Sequence, residues 1–378
     1  MVSNQEPQSS PFFRASLVAY AVLIIYASLY PFSGWHFENL AAFGEQFRQW
    51  PRYRPLFDSI VNILGYIPFG SLIVFAMYPR FARWSAVLGA CLIGITMSAC
   101  MESTQFFLPT RVTSLLDLIT NGIGTILGAI IGGVVAPSVF RSDALQRLRT
   151  HWLQQGSSRE LVVLGLWPLA QLFPQAFLFG HGQILPIISL WCEEYLDISI
   201  DLSDILRNGI ELSAENYLLS ETIITACGCS GAILLWLSLF NRHAPKFVLS
   251  CLLLVSALAI KALSYALMFQ PENAFLWLAP GAQGGIAIGI LMLYGFSFTP
   301  NYVQRRLAMI LLIISFFMVN LIPSNPYFLN TLQTLVQGKM LNFYGAAQFL
   351  SVVWPLMAIW YLINPKRLST DQHTQQTN

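Results

Sequence analysis

The sequence predicts an all-α polytopic membrane protein of about ten transmembrane helices, and three observations carry that prediction. Of its 378 residues, 55% are hydrophobic and only 10% are charged, against roughly 25% charge in soluble domains. Mean hydropathy is +0.59, too apolar for a surface that faces water on every side. The apolar residues are also gathered into runs of about 20, the length a helix needs to cross the hydrocarbon core.

Ten runs meet that length: 15–32, 59–78, 84–101, 115–138, 161–180, 217–240, 247–268, 275–296, 307–323 and 344–364. The first is too long for the apolar core of a signal peptide and has no obvious small-residue cleavage site. With the N-terminus inside, the cytoplasmic loops and ends carry thirteen Lys and Arg, from Arg14 to Arg367. The outer segments carry six: Arg48, Arg52, Arg54, Arg111, Arg207 and Lys339. That excess predicts both termini in the cytoplasm. Trp35, Trp50, Trp84 and Trp191 fall near span ends, where the interface favours the indole ring.

The charge-rich stretch 141–160 reads as a cytoplasmic linker. It separates a four-span domain, 1–140, from a six-span domain, 161–364. Residues 365–378 are polar and read as a disordered tail. Two outer segments are long. Residues 33–57 mix Trp35, His36, Trp50, Arg52, Tyr53 and Arg54, and read as interfacial. Residues 182–216 hold seven acids and one base. Within them, Leu196, Ile198, Ile200 and Leu202 alternate with Asp197, Ser199, Asp201 and Ser203. That period of two, followed by Asn208-Gly209, predicts a small extracytoplasmic β-hairpin near 196–213. Residues 324–343 read as an amphipathic helix on the outer surface.

Composition also sets exclusions. A net charge of +2 without a clustered basic face predicts no nucleic-acid partner. The six cysteines and five histidines show no ligand spacing, so neither metal nor cofactor is predicted. Cys227 and Cys229 form C-x-C, but no second pair follows. Small apolar fillers are the expected role of most cysteines.

One polar pattern recurs in the apolar sequence. Asp58, Asn62 and Gly65 repeat as Asp117, Asn121 and Gly124, both D-x-x-x-N-x-x-G. On a helix these positions fall on one narrow stripe. A polar stripe in lipid must face other helices or a wet cavity, and the glycine admits a neighbouring backbone. By the loop charges both copies run outside to inside, with their acids near the positive ends of their helices. Between them lie Glu102 and Gln105, one helical face at the end of the third span, and Arg111 in a short outer loop. Asp58, Asn62, Glu102, Gln105, Arg111, Asp117 and Asn121 therefore form the candidate ligand-binding set. Gly65 and Gly124 are the candidate packing positions.

The same residues resemble a known family. "D-x-x-x-N-x-x-G-Y-I-P-F-G" from Asp58 to Gly70 is similar to a VanZ-like motif. So is "E-x-x-Q-F-F-L-P-x-R-V-x-S-x-x-D-x-x-x-N-x-x-G" from Glu102 to Gly124, with Tyr30-Pro31-Phe32 closing the first span. The likeness covers about residues 15–140. It implies a helical protein of the bacterial inner membrane in an envelope setting, linked in the founding member to glycopeptide resistance. It supplies no reaction.

Three function classes follow. The first is a binding or accessory protein whose outer-edge pocket recognises a lipid headgroup, a lipid-linked glycan or a lipophilic glycopeptide, among the membrane lipids it contacts. There Arg111 meets an anionic group, while Asp58, Asn62, Asp117 and Asn121 orient polar groups. The second is an intramembrane enzyme with Glu102 and Asp117 as acid/base candidates. The third is a transporter or flippase. In the second half, Glu221 and Lys261 sit roughly 6 and 10 Å inside their spans by helix rise, depths that permit a structural ion pair. Ala279-Pro280-Gly281 interrupts the eighth run, as helix breaks do along transport cavities.

Overall fold

The computed structural model describes residues 11–36, 44, 56–81, 83–142, 151–154, 157–208, 210, 212–269, 271–323 and 341–363. The chain divides into two compact units, Met1–Thr150 and His151–Asn378. Eight helices among the described residues are long and apolar enough to cross a membrane. Their outer faces are greasy: Leu88 and Leu92 are 71% and 70% exposed. Such a surface suits lipid and not water. Arg48, Trp50, Arg52 and Arg54, the expected outer helix before residue 341 and the expected tail after 363 lie outside the described residues.

The first unit contains α1 (Pro11–Leu29), α2 (Leu56–Met77), α3 (Arg83–Gln105) and α4 (Leu115–Arg141). Helix α4 packs against both α2 and α3. The α2–α4 seam is built on glycine. A Cβ at Gly124 would fall 2.4 Å from the Ile63 carbonyl oxygen, and one at Gly128 2.0 Å from that of Ile67. From the other side, a Cβ at Gly70 would fall 2.2 Å from the Thr125 oxygen. Backbones this close are what small residues allow in lipid, where no hydrophobic force draws helices together. Ser71 donates to the Gly128 carbonyl across the seam at 2.8 Å. Gly65 has open space around its missing Cβ, and its carbonyl accepts from Tyr20 of α1 at 2.8 Å.

The second unit contains α5 (Ser158–Gly165), α6 (Trp167–Ala170), α7 (Leu185–Leu196), α8 (Leu202–Arg207), α9 (Ala214–Leu237), α10 (Lys246–Met268), α11 (Pro280–Ser297), α12 (Asn301–Leu321) and α13 (Leu341–Ile363). Helix α9 is central. It is buried over most of its length and packs on α11 and α12. Small residues again set the contact: Gly285 lies against Thr222 and Thr225, and Gly231 against Leu312.

The fifth predicted span is corrected. Residues 161–180 form two short helices, then irregular backbone through residue 184. Pro168 opens α6, while Pro174 pushes Phe173 out of the helical region. Phe179 and Gly182 then take positive φ, 59° and 88°. The segment is nevertheless a passage through the unit. Leu153 bridges Phe240, beside Asn301 at the start of α12. The backbone N–H groups of Ile184 and Leu185 reach Asn320 at the far end of the same helix, about 28 Å away at 1.5 Å per residue. Non-helical backbone survives at that depth because protein surrounds it. Phe177, Leu178 and Phe179 are at most 1% exposed.

Two further expectations are corrected. No hairpin forms among the described residues of 196–213. Asp201 caps α8 by accepting from the backbone N–H groups of Ser203 and Asp204, and Asn208 ends it in the left-handed region, φ 56°. The turn formers are helix caps. Arg207 fixes α8 by donating to the Leu321 carbonyl and to Asp204. The Ala279-Pro280-Gly281 break is the start of α11, with Pro280 in the first turn, where its missing N–H is harmless.

Candidate functional site

The repeated motif interlocks. Asn62 of the first copy donates to Asp117 of the second at 3.0 Å, so α2 and α4 meet through the two copies. Asn121 turns the other way and donates to Ser98 of α3 at 3.0 Å. Asp58 stands half-buried in the first turn of α2.

Glu102 is the buried acid among the described residues of the unit, 3% exposed. Its Oε2 accepts from the backbone N–H of Ser114, the N-cap of α4, at 2.9 Å. A carboxylate there satisfies a donor that the helix leaves unpaired and meets the positive end of its dipole. Tyr66 and Ser114 stand against it; Ser98, one turn earlier on α3, holds Asn121, and Thr113 precedes Ser114 in the loop. The Tyr66 hydroxyl lies beside Ser98 and Glu102 outside good hydrogen-bonding geometry. Tyr66 Oη, Thr113 Oγ1, Ser114 Oγ and Asn121 Oδ1 are all buried without a hydrogen-bond partner. Turning the Asn121 amide would only exchange an orphan oxygen for an orphan nitrogen.

Arg111 and Gln105 serve the end of α1. Arg111 donates from Nε to the Tyr30 carbonyl at 2.9 Å and from Nη2 to that of Ala27 at 3.2 Å. Gln105 donates to the Ser28 carbonyl at 2.9 Å. These are carbonyls the last turn of a helix leaves open. Burial pulls the Arg111 guanidinium below its ordinary pKa range, yet an arginine stays charged in proteins. Arg111→Ala is expected to lower the thermal stability of the purified protein by about 2 kcal/mol, the value of charged hydrogen bonds. Arg111→Lys should recover only part, because an ammonium cannot reproduce the planar fork.

In the second unit, Glu221 and Lys261 go to separate partners, which corrects the expected pair. Glu221 accepts from the Gly281 N–H at the start of α11, again a helix N-terminus. Lys261, 0% exposed, donates to the Phe173 carbonyl of the broken passage at 3.0 Å. Sequence reasoning missed the groups beside it: Gln171, Gln175 and His181. Gln171 and Gln175 sit in a run that reads as an ordinary span, with His181 just past its end, and only that polar series could have marked it.

Residues 13–136 match the family model described as VanZ/LLP1, and no family covers the remainder of the chain. No curated protein and no solved structure matches the chain.

Proposed function

We propose, from the premise that the first unit is a VanZ-like domain of a multi-pass membrane protein, that it binds the polar end of an envelope lipid around Glu102. The occupant we assign is a hydroxyl-bearing headgroup, as on a lipid-linked glycan. One observation carries the reading: four buried oxygens without partners lie on residues that meet Glu102 or adjoin those that do. Buried polar atoms in folded proteins are satisfied in the great majority of cases, so a cluster of exceptions suits an occupant. Three of the four are hydroxyls, which both donate and accept, while the carboxylate accepts only. Sugar hydroxyls match that mixture. Arg111 and Gln105 position the wall by holding α1, and the Asn62–Asp117 bond holds α2 to α4. The setting that goes with this reading is the bacterial inner membrane with both termini in the cytoplasm, supported by the thirteen-to-six distribution of Lys and Arg.

Thr113→Val tests it. Valine keeps the shape and deletes an unpartnered hydroxyl, so a purely structural role predicts equal or greater stability. Binding predicts that a lipid retained by the full chain, read by native mass spectrometry after extraction with its own lipids, falls about tenfold, the equivalent of one hydrogen bond of 1.4 kcal/mol. Undiminished retention in the variant would sink the proposal.

A further inference from the structure

The second unit buries a lysine that meets no carboxylate among the described residues. Lys261 is 0% exposed, and no described carboxylate lies within ion-pair distance. It donates to the Phe173 carbonyl, and its Nζ stands 5.3 Å from the ring centre of Tyr265. An ammonium has three donors, and a charge held at this depth without compensation is costly.

The groups next to it are also incomplete, and in a consistent sense. His181, 3% exposed, interacts electrostatically with Lys261. Its ring is gripped on both sides: Gln171 Nε2 stands 2.5 Å from Nε2 and Gln175 Nε2 2.7 Å from Nδ1. A neutral imidazole accepts at one nitrogen and donates at the other. One of the two amides therefore presents its oxygen to the ring N–H and turns its NH2 away from the ring, without a partner. Gln171 Oε1 and Gln175 Oε1 are both buried without partners. The Trp167 indole N–H is orphaned as well, and its ring lies against Trp354, which also faces His181. The balance is two spare ammonium hydrogens, one amide NH2 and one indole N–H against one amide oxygen. That is a surplus of donors around a lysine that an anion would hold in its charged form, on a break in a helical passage.

We infer that this cluster is a binding site for an anionic oxygen group, a carboxylate or a phosphate, carried by a lipid headgroup or a small solute. Lys261 neutralises the charge, and Trp167 and the turned glutamine direct hydrogen bonds to its oxygens. The irregular backbone of residues 171–184 gives the site its place within the unit, as discontinuous helices do where polar ligands bind inside membranes.

The test uses the full chain in detergent. In one arm, native mass spectrometry reads an anionic lipid retained on extraction. In the other, delipidated protein is melted against inorganic phosphate and against acetate, with sodium chloride at equal ionic strength as reference. The wild type is expected to retain an anionic lipid, which identifies a headgroup, or to be stabilised by a free anion, which identifies a solute. Lys261→Met should lose that response at least tenfold while melting no lower than the wild type without ligand, because it removes an uncompensated buried charge. Trp167→Phe, which keeps the ring stack and deletes one N–H, should lose about threefold. It carries the test should Lys261→Met fail to accumulate. A wild type that holds no anionic lipid and gains nothing over chloride overturns the inference, as does an unchanged response in Trp167→Phe.

Discussion

Gly128→Ala is expected to lower the stability of the first unit by about 3 kcal/mol, the upper range for overpacking. The methyl group would meet the Ile67 carbonyl at 2.0 Å and its carbon at 2.8 Å. Backbone cannot rotate away as a side chain can, so α2 and α4 must separate. Separation would also stretch the Asn62–Asp117 and Ser71–Gly128 bonds. The control lies on the same seam in sequence terms. Gly65 closes the first motif copy as Gly124 does the second, yet nothing lies within 4 Å of its missing Cβ. Gly65→Ala should therefore be neutral or stabilising by about 0.5–1 kcal/mol through helix propensity. Thermal unfolding of the two purified variants checks the pair. Equal melting temperatures would show that the seam yields.

The second large effect is expected at Asn320, 6% exposed at the end of α12. Its Oδ1 accepts from the N–H groups of Ile184 and Leu185 at 2.8 and 2.9 Å. Its Nδ2 donates to the carbonyls of Gly182 and Phe316 at 2.7 and 2.8 Å. One side chain thus satisfies the irregular backbone where the broken passage enters α7. Asn320→Leu strands two N–H groups and one carbonyl, at roughly 1–3 kcal/mol each. A loss of about 4 kcal/mol is expected, with faster hydrogen exchange concentrated in 180–190. Asn320→Asp keeps the acceptor and should recover part of it. Exchange spread evenly over the unit would argue against this local role.

Hydropathy and loop charge made the helical class legible, because a lipid solvent leaves the backbone little choice. The motif residues were legible as one polar stripe, and the structure does bring Asn62 to Asp117. What each polar group touches was not legible. Arg111 reads in sequence as a cation free to meet a ligand, and in space it closes the end of α1, about 80 residues earlier. Asp201 and Asn208 carry the same turn chemistry in a hairpin as in helix caps, and only the tertiary context decides. The spacing of Gly124, Gly128 and Gly132 could have marked the seam, whereas Gly65 shows that a matching motif position need not be a contact. The passage through 161–180 was misread because average hydropathy does not register Pro174 or the backbone it bends.

The hold that Arg111 and Gln105 keep on the last carbonyls of α1 has a consequence for how the protein is made. At 5–20 residues per second, the ribosome needs on the order of 4–16 s to add the roughly 80 residues between Tyr30 and Arg111. Through that interval the first helix is in the bilayer with its terminal carbonyls met only by water or lipid headgroups. Its final fastening waits for the loop after α3, so α1, made before the other described helices of its unit, is secured only once three of the four have been made.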